Sequence, residues 1–188
     1  MHVRHMPIGT DEVCFRYVYA GAGAHGAVFA MMVATTIVGG GWGALAFLPF
    51  LYRAKTRRMT SALFLSFLVA RVRPCYSLQG VHPLWGNPAG FSFPSGHATG
   101  SFCFAGFVIA VALHVARSHP EKKWAAWGAA FGAVVLATMV ALSRVYLGDH
   151  YPGDVSVGAV LGLIVGFSGA IAFYKYEAAR SASHATMR

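Results

Sequence analysis

Apolar stretches long enough to cross a bilayer, separated by short charged loops, constrain this chain more than any other feature. A spanning helix needs about 20 mostly apolar residues, with a range of ~17 to 25. Five segments approach that requirement, at 24–52, 59–72, 96–116, 124–143 and 154–174. Gly39, Gly40 and Gly41 interrupt the first, where helix propensity is poor, so it is either one kinked helix or a re-entrant pair. The second is short and needs Arg71 to snorkel to the interface, or a thinned bilayer around it. The pattern predicts an all-α fold, a polytopic transmembrane helical bundle of five to six membrane helices.

Composition agrees. Hydrophobic residues make up 56% and charged residues 11%, against about 25% charged in an ordinary soluble domain. The 188 residues suit one membrane domain spanning 1–188, with 1–23 as an N-terminal interfacial segment and 175–188 as a cytoplasmic tail. The opening residues mix His, Arg, Asp and Glu without an uninterrupted apolar run, so no cleavable signal peptide is expected. A net charge of +9 raises the question of nucleic acid, but no basic stripe interleaved with aromatics is present, and nucleic acid is not an expected partner. The basic residues instead cluster between apolar runs, at Arg53, Lys55, Arg57 and Arg58 and again at Arg117, Lys122 and Lys123.

If the helices alternate in direction, those clusters share one side with Lys175, Arg180 and Arg188, while the connections 73–94 and 144–153 share the other. The positive-inside rule then puts the two connections outside the cytoplasm. Cys14, Cys75 and Cys103 lack paired spacing and read as filler, so neither a disulfide framework nor a metal site is expected. His25, His82, His114 and His119 have no chemical context, and Trp42, Trp85, Trp124 and Trp127 suit an interfacial belt.

The two connections carry the chemistry. Phe93-Pro94-Ser95-Gly96-His97 precedes an apolar run, with Ser95 placed as N-cap and Gly96 allowing close backbone approach. Free N–H groups at such a helix start attract a phosphate oxygen, and His97 on the first turn faces the same anion. The second connection runs from Ser143 and Arg144 through Asp149 and His150 to Pro152 and Asp154. Pro152 suits a first helical turn. Asp154 is placed to reach back to one ring nitrogen of His150, leaving the other a lone pair for phosphorus. Arg144 and Arg73 offer planar forks of donors for phosphate oxygens. Asp149 reads as a solvating loop residue.

Pro94, Ser95, Gly96 and His97, with Ser143, Arg144, His150 and Asp154, resemble the second and third parts of the type 2 phosphatidic acid phosphatase superfamily pattern, Pro-Ser-Gly-His and Ser-Arg-x5-His-x3-Asp. By residue usage each string arises by chance in on the order of one in a thousand chains of this size. The resemblance covers roughly residues 53–174. It implies an integral membrane phosphatase acting on a lipid phosphate without cofactor or metal, in which His150 attacks phosphorus, Asp154 supports it and His97 protonates the leaving alcohol. Arg73, Ser95, Gly96 and Arg144 would hold the phosphate.

The expected setting is a bacterial inner membrane with the site on the periplasmic side, and the expected partners are the bilayer and a membrane lipid phosphate. Phosphatidylglycerol phosphate, phosphatidic acid, polyprenyl diphosphate and lipid A phosphates are unranked as substrates. The first part of the pattern, Lys-x6-Arg-Pro, departs here: Ser66 stands where the family has lysine, and Arg71 is a candidate replacement charge. Two other readings remain, a lipid phosphotransferase using the same site and a binding or scaffold protein whose site has decayed. The haloperoxidases of the superfamily are soluble and larger, which the apolar spans disfavour.

Overall fold

The computed structural model describes residues 9–21, 23–39 and 69–186, and every regular element among them is helical. In chain order these are α1 (Thr10–Val18), α2 (Ala27–Gly39), α3 (Pro74–Ser77), α4 (Gly96–Ser118), α5 (Lys123–Tyr146) and α6 (Pro152–Thr186). A 3-10 turn at Pro120–Lys122 joins α4 to α5.

Helices α4, α5 and α6 are long and apolar enough to cross a membrane. The 23 residues of α4 reach about 35 Å at ~1.5 Å per residue, against a hydrocarbon core of about 30 Å. Large side chains such as Phe131, Val160 and Ile164 point outward, as a lipid-facing surface requires. The stretch 24–52 is described only through α2, a shorter apolar helix. Its remainder, and most of 59–72, lie outside the described residues. Helix α6 continues beyond 174 to Thr186, because Lys175, Glu177, Ala178, Ala179 and Arg180 are good helix formers and neither Gly nor Pro intervenes.

Glycine spacing explains how α4 and α6 meet. Gly158, Gly162 and Gly166 recur every fourth residue on one face of α6, and they lie against the backbone of α4 at Ser95, Thr99 and Cys103 in turn. Rising numbers on both helices mean that the two run parallel. A Cβ on Gly158 would stand 2.8 Å from the Ser95 carbonyl oxygen, and one on Gly106 of α4 would stand 2.6 Å from that of Leu163. Small residues thus let backbones approach where lipid offers no hydrophobic drive for association. At the far end His114 stacks on Tyr174, ring centroids 4.1 Å apart. Helix α5 returns between these ends, so the start of α4, the end of α5 and the start of α6 gather at one end of the bundle.

A cluster of Phe15, Cys75, Val81, Ala98, Ala141, Val145, Tyr151 and Val155 underlies that end. It draws on α1 as well as on the long helices. Phe15 is fully buried, 5.3 Å from Tyr19 and 5.7 Å from Tyr151 by ring centroids. The Tyr19 hydroxyl donates to the His82 carbonyl at 3.0 Å, and the Ala20 N–H to that of Tyr146 at 3.3 Å. Helix α1 is therefore seated on the end of the bundle.

Candidate active site

Three chain segments build the site, each placed by a local rule. Ser95 is buried and caps α4, its hydroxyl accepting from the Ala98 N–H at 3.5 Å. Gly96 and His97 follow on the first turn, where helix N–H groups lack partners within the helix. Arg144 lies in the last turn of α5, and the loop that follows the helix turns at Gly148, whose φ of 87° suits glycine. That turn brings the N–H groups of Asp149 and His150 back onto the Arg144 carbonyl, at 3.1 and 3.2 Å. Pro152 opens α6, and the buried Asp154 lies in its first turn.

His150 is held at both ring nitrogens. Nδ1 lies 2.7 Å from the Ser92 carbonyl oxygen. A carbonyl only accepts, so Nδ1 carries the proton and Nε2 presents its lone pair. Nε2 lies 3.1 Å from Nη1 of Arg73. Burial pushes the His150 imidazole below its ordinary value, with Arg73 and Arg144 adding to the effect and Asp154 opposing it.

Asp154 stands differently from its expected place. Its Oδ2 is 3.8 Å from Nδ1, beyond hydrogen-bond reach. The carboxylate instead accepts from the Ser92 hydroxyl, from the Tyr151 N–H at 2.9 Å and from Nη1 of Arg71 at 2.8 Å. The Asp154 carbonyl accepts from the Ser95 N–H at 3.0 Å, which ties the starts of α4 and α6 together. A carboxylate on a first helical turn is pulled inward by these donors, and the nearer carbonyl takes the imidazole. Asp154 thus reaches His150 through Ser92.

Arg73 donates to the carbonyls of Gly90, Ala89 and Asp149 at 3.2, 2.9 and 3.2 Å. Arg144 is buried, ion-paired to Asp149 and 3.2 Å from the Thr36 hydroxyl. His97 is half-buried on the first turn of α4. All seven residues expected at the site, His150, His97, Asp154, Arg73, Ser95, Gly96 and Arg144, lie at this one end of the bundle.

Two further expectations are corrected. Arg71 neither snorkels nor offers free charge: its fork is committed to Asp154 and to Asp11, the latter at 2.6 Å. Ser66, the position it was to compensate, lies outside the described residues. Asp149 does not solvate the loop, being 0% exposed and bound to Arg144. Burial raises its carboxyl above the usual range, with Arg144 opposing. Ser92, Thr36 and Asp11 were not singled out in the sequence. Only Asp149 carried a signal there, as a carboxylate beside a candidate nucleophile in a chain with few acids.

A model of the PAP2 superfamily matches residues 43–178. Decaprenylphosphoryl-5-phosphoribose phosphatase of Mycobacterium tuberculosis is 37% identical over 105 residues, covering 56% of this chain and 49% of that protein. Lipid A 4'-phosphatase of Bacteroides thetaiotaomicron is 34% identical over 116 residues, covering 59% and 45% respectively. The chain spans about half the length of these curated relatives. Among solved structures, the transmembrane PAP2 type phosphatidylglycerolphosphate phosphatase of Bacillus subtilis shares the fold with a TM-score of 0.64 at 24% identity, covering 88% of this chain and 85% of that one. With its apolar helices and this fold, the chain is an integral membrane protein.

Proposed function

The chain belongs to the PAP2 superfamily, and on that premise we propose that it is a membrane lipid phosphatase, hydrolysing a phosphomonoester or diphosphate through a phosphohistidine on Nε2 of His150. The observation that carries this reading is the state of one ring. Nδ1 is occupied by the Ser92 carbonyl at 2.7 Å, and Nε2 faces the Arg73 guanidinium at 3.1 Å. The lone pair and the cation that would draw a phosphate to it meet at one point.

In the first step that lone pair attacks phosphorus, the bond from phosphorus to the lipid oxygen breaks, and His97, protonated once the anionic phosphate is bound beside it, gives its proton to the leaving oxygen. In the second, His97 takes a proton from water, the water oxygen attacks phosphorus, and the P–N electron pair returns to Nε2. Inorganic phosphate leaves and His97 is protonated again. Arg73, Arg144 and the N–H groups after Ser95, at Gly96 and His97, hold the phosphoryl oxygens, stabilising charge that spreads as the bond breaks. No step calls on a metal. His150, kept neutral by burial, has its lone pair available at neutral pH.

Charge supports an outward-facing site. At the site end Arg16, Arg71, Arg73 and Arg144 are matched in number by Asp11, Glu12, Asp149 and Asp154. At the far end Arg117, Lys122, Lys123, Lys175 and Arg180 outnumber Glu121 and Glu177. The positive-inside rule counts Lys and Arg whatever acids lie beside them; the far end carries five of these against four at the site end, three of the four committed to the site itself, and on this reading the site opens to the periplasmic face of a bacterial inner membrane. The relatives act on different lipid phosphates, and the substrate class proposed is what their names share: a phosphate carried by a lipid.

The test uses purified protein in detergent with lipid monophosphates and diphosphates, with and without chelator. Free phosphate should appear in both conditions, and quenched reactions should trap acid-labile, base-stable label that His150→Ala cannot form. Turnover by His150→Ala, or loss of turnover to chelator, overturns the mechanism. Transfer of label to a lipid hydroxyl in place of water would make the protein a phosphotransferase.

A further inference from the structure

The carboxylate behind the nucleophile is anchored from outside the region that the family model matches. Arg71 gives Nη1 to Asp154 at 2.8 Å and Nη2 to Asp11 at 2.6 Å, so one guanidinium is clamped between two carboxylates. The other oxygen of Asp11 accepts from the Gly153 N–H at 2.8 Å. That N–H is among those at the start of α6 that the helix cannot satisfy itself. Asp11, Arg71, Asp154 and the backbone back to Gly153 thereby close a ring around the first turn of α6.

The ring fits closely. A Cβ on Gly153 would come 2.9 Å from Oδ2 of Asp11, so glycine is what lets the carboxylate approach. The guanidinium carbon of Arg71 also lies 3.9 Å over the Tyr151 ring, and Phe15, one turn beyond Asp11 on α1, packs on the same tyrosine. The Tyr151 hydroxyl is 2.8 Å from that of Ser77. The residue after His150 is thus fixed on several sides, one of them through α1.

From Asp11 a continuous path of polar contacts leads to the reacting nitrogen. Asp11 holds Arg71, Arg71 holds Asp154, Asp154 accepts from the Ser92 hydroxyl, and the Ser92 carbonyl fixes Nδ1 of His150. We infer that Asp11 is a positioning residue for the phosphatase reaction: by locking Arg71 and the start of α6 it holds Asp154 and Ser92 where they orient the His150 ring. The inference rests on the phosphatase reading. Asp11 stands four contacts behind the imidazole, so its loss misaligns the nucleophile without removing a phosphate contact, and it acts on kcat more than on KM.

The experiment is steady-state kinetics of the full chain in detergent, on a lipid phosphate that the wild type hydrolyses. Asp11→Asn keeps an amide oxygen for the Gly153 N–H while removing the charge on Arg71. It should lower kcat about tenfold, as small misplacements of reacting groups do, with KM within about twofold. Asp11→Glu, which keeps the charge, should lie between Asp11→Asn and wild type.

Arg71→Met should lower kcat at least as far, and adding Asp11→Asn to it should cost little more, because Asp11 works through Arg71. Arg16→Ala, which breaks an exposed pair with Glu12, should leave kcat unchanged. Wild-type kcat in Asp11→Asn, an Asp11→Glu no better than Asp11→Asn, or multiplicative losses in the double variant each overturn the inference while the phosphatase reading stands. Wild-type protein inert toward every lipid phosphate overturns both.

Discussion

Replacing Asp149 by Asn removes one charge from a buried pair while keeping its outline. Asp149 is 0% exposed and the Arg144 side chain 8%. Besides Asp149, Arg144 bonds the neutral Thr36 hydroxyl at 3.2 Å, and its Nε has no hydrogen-bond partner among the described residues. In Asp149→Asn the guanidinium therefore keeps no adjacent counter-charge. Removing one partner of such a pair costs about 3–5 kcal/mol. At ~2–4 °C per kcal/mol for a chain of this size, the melting temperature should fall by roughly 6–20 °C.

The assay is thermal unfolding of detergent-solubilised protein, with and without saturating vanadate. An oxyanion at Nε2 of His150 restores negative charge near Arg144, so the vanadate-induced rise should be larger in the variant than in the wild type. A melting temperature within about 2 °C of wild type at neutral pH, or an equal response to vanadate in both proteins, would refute the reasoning.

Other outcomes follow from single contacts. Because burial holds the His150 pKa below its ordinary value, the acid limb of kcat/KM should fall below the ordinary imidazole range, activity being lost as pH drops and Nε2 is protonated; a limb at or above that range counts against His150 as the group titrating. Ser92→Ala loses the hydroxyl on Asp154 but keeps the carbonyl on Nδ1, so kcat should fall about tenfold or less, and a loss as deep as that of His150→Ala would mean the carbonyl does not hold the ring. Gly106→Ala drives a methyl to 2.6 Å from the Leu163 carbonyl and should destabilise by about 1–3 kcal/mol in melting experiments. Gly128→Ala, with open space around it, should be neutral or stabilising by about 0.5–1 kcal/mol; equal effects of the two would refute the assignment of the packed face.

What could be read in the sequence was local. Ser95 before Gly96, Pro152 at the start of α6 and the apolar lengths of α4, α5 and α6 are set by near neighbours, and their helices begin where those residues predict. The holder of the His150 tautomer was illegible, because every residue has a carbonyl and only tertiary placement selects that of Ser92. Asp154 was expected on the ring since it lies one turn away, yet three donors pull its carboxylate elsewhere. Arg71 was weighed only against position 66 on the same segment, whereas its partners come from α1 and α6. Asp11 lay in a stretch read as interfacial, with no periodicity or spacing to tie it to Gly153.

The distribution of carboxylates suggests why an anion would settle where it does. The chain has six Asp and Glu residues, and those at the site end each meet an arginine: Glu12 meets Arg16, Asp11 and Asp154 share Arg71, and Asp149 meets Arg144. Arg73 alone of these four arginines has no carboxylate partner among the described residues, its contacts being carbonyl dipoles and Nε2 of His150. A dipole offsets a buried cation less completely than a carboxylate does, so the uncompensated positive charge of the site is concentrated at Arg73. A phosphate drawn to that guanidinium is brought to the imidazole lone pair by the same contact. Under the proposed reaction, the pairing of Arg71 and Arg144 with carboxylates therefore leaves Arg73 to draw the substrate's charge to the nucleophile, where Arg144 meets the phosphoryl oxygens as a second contact.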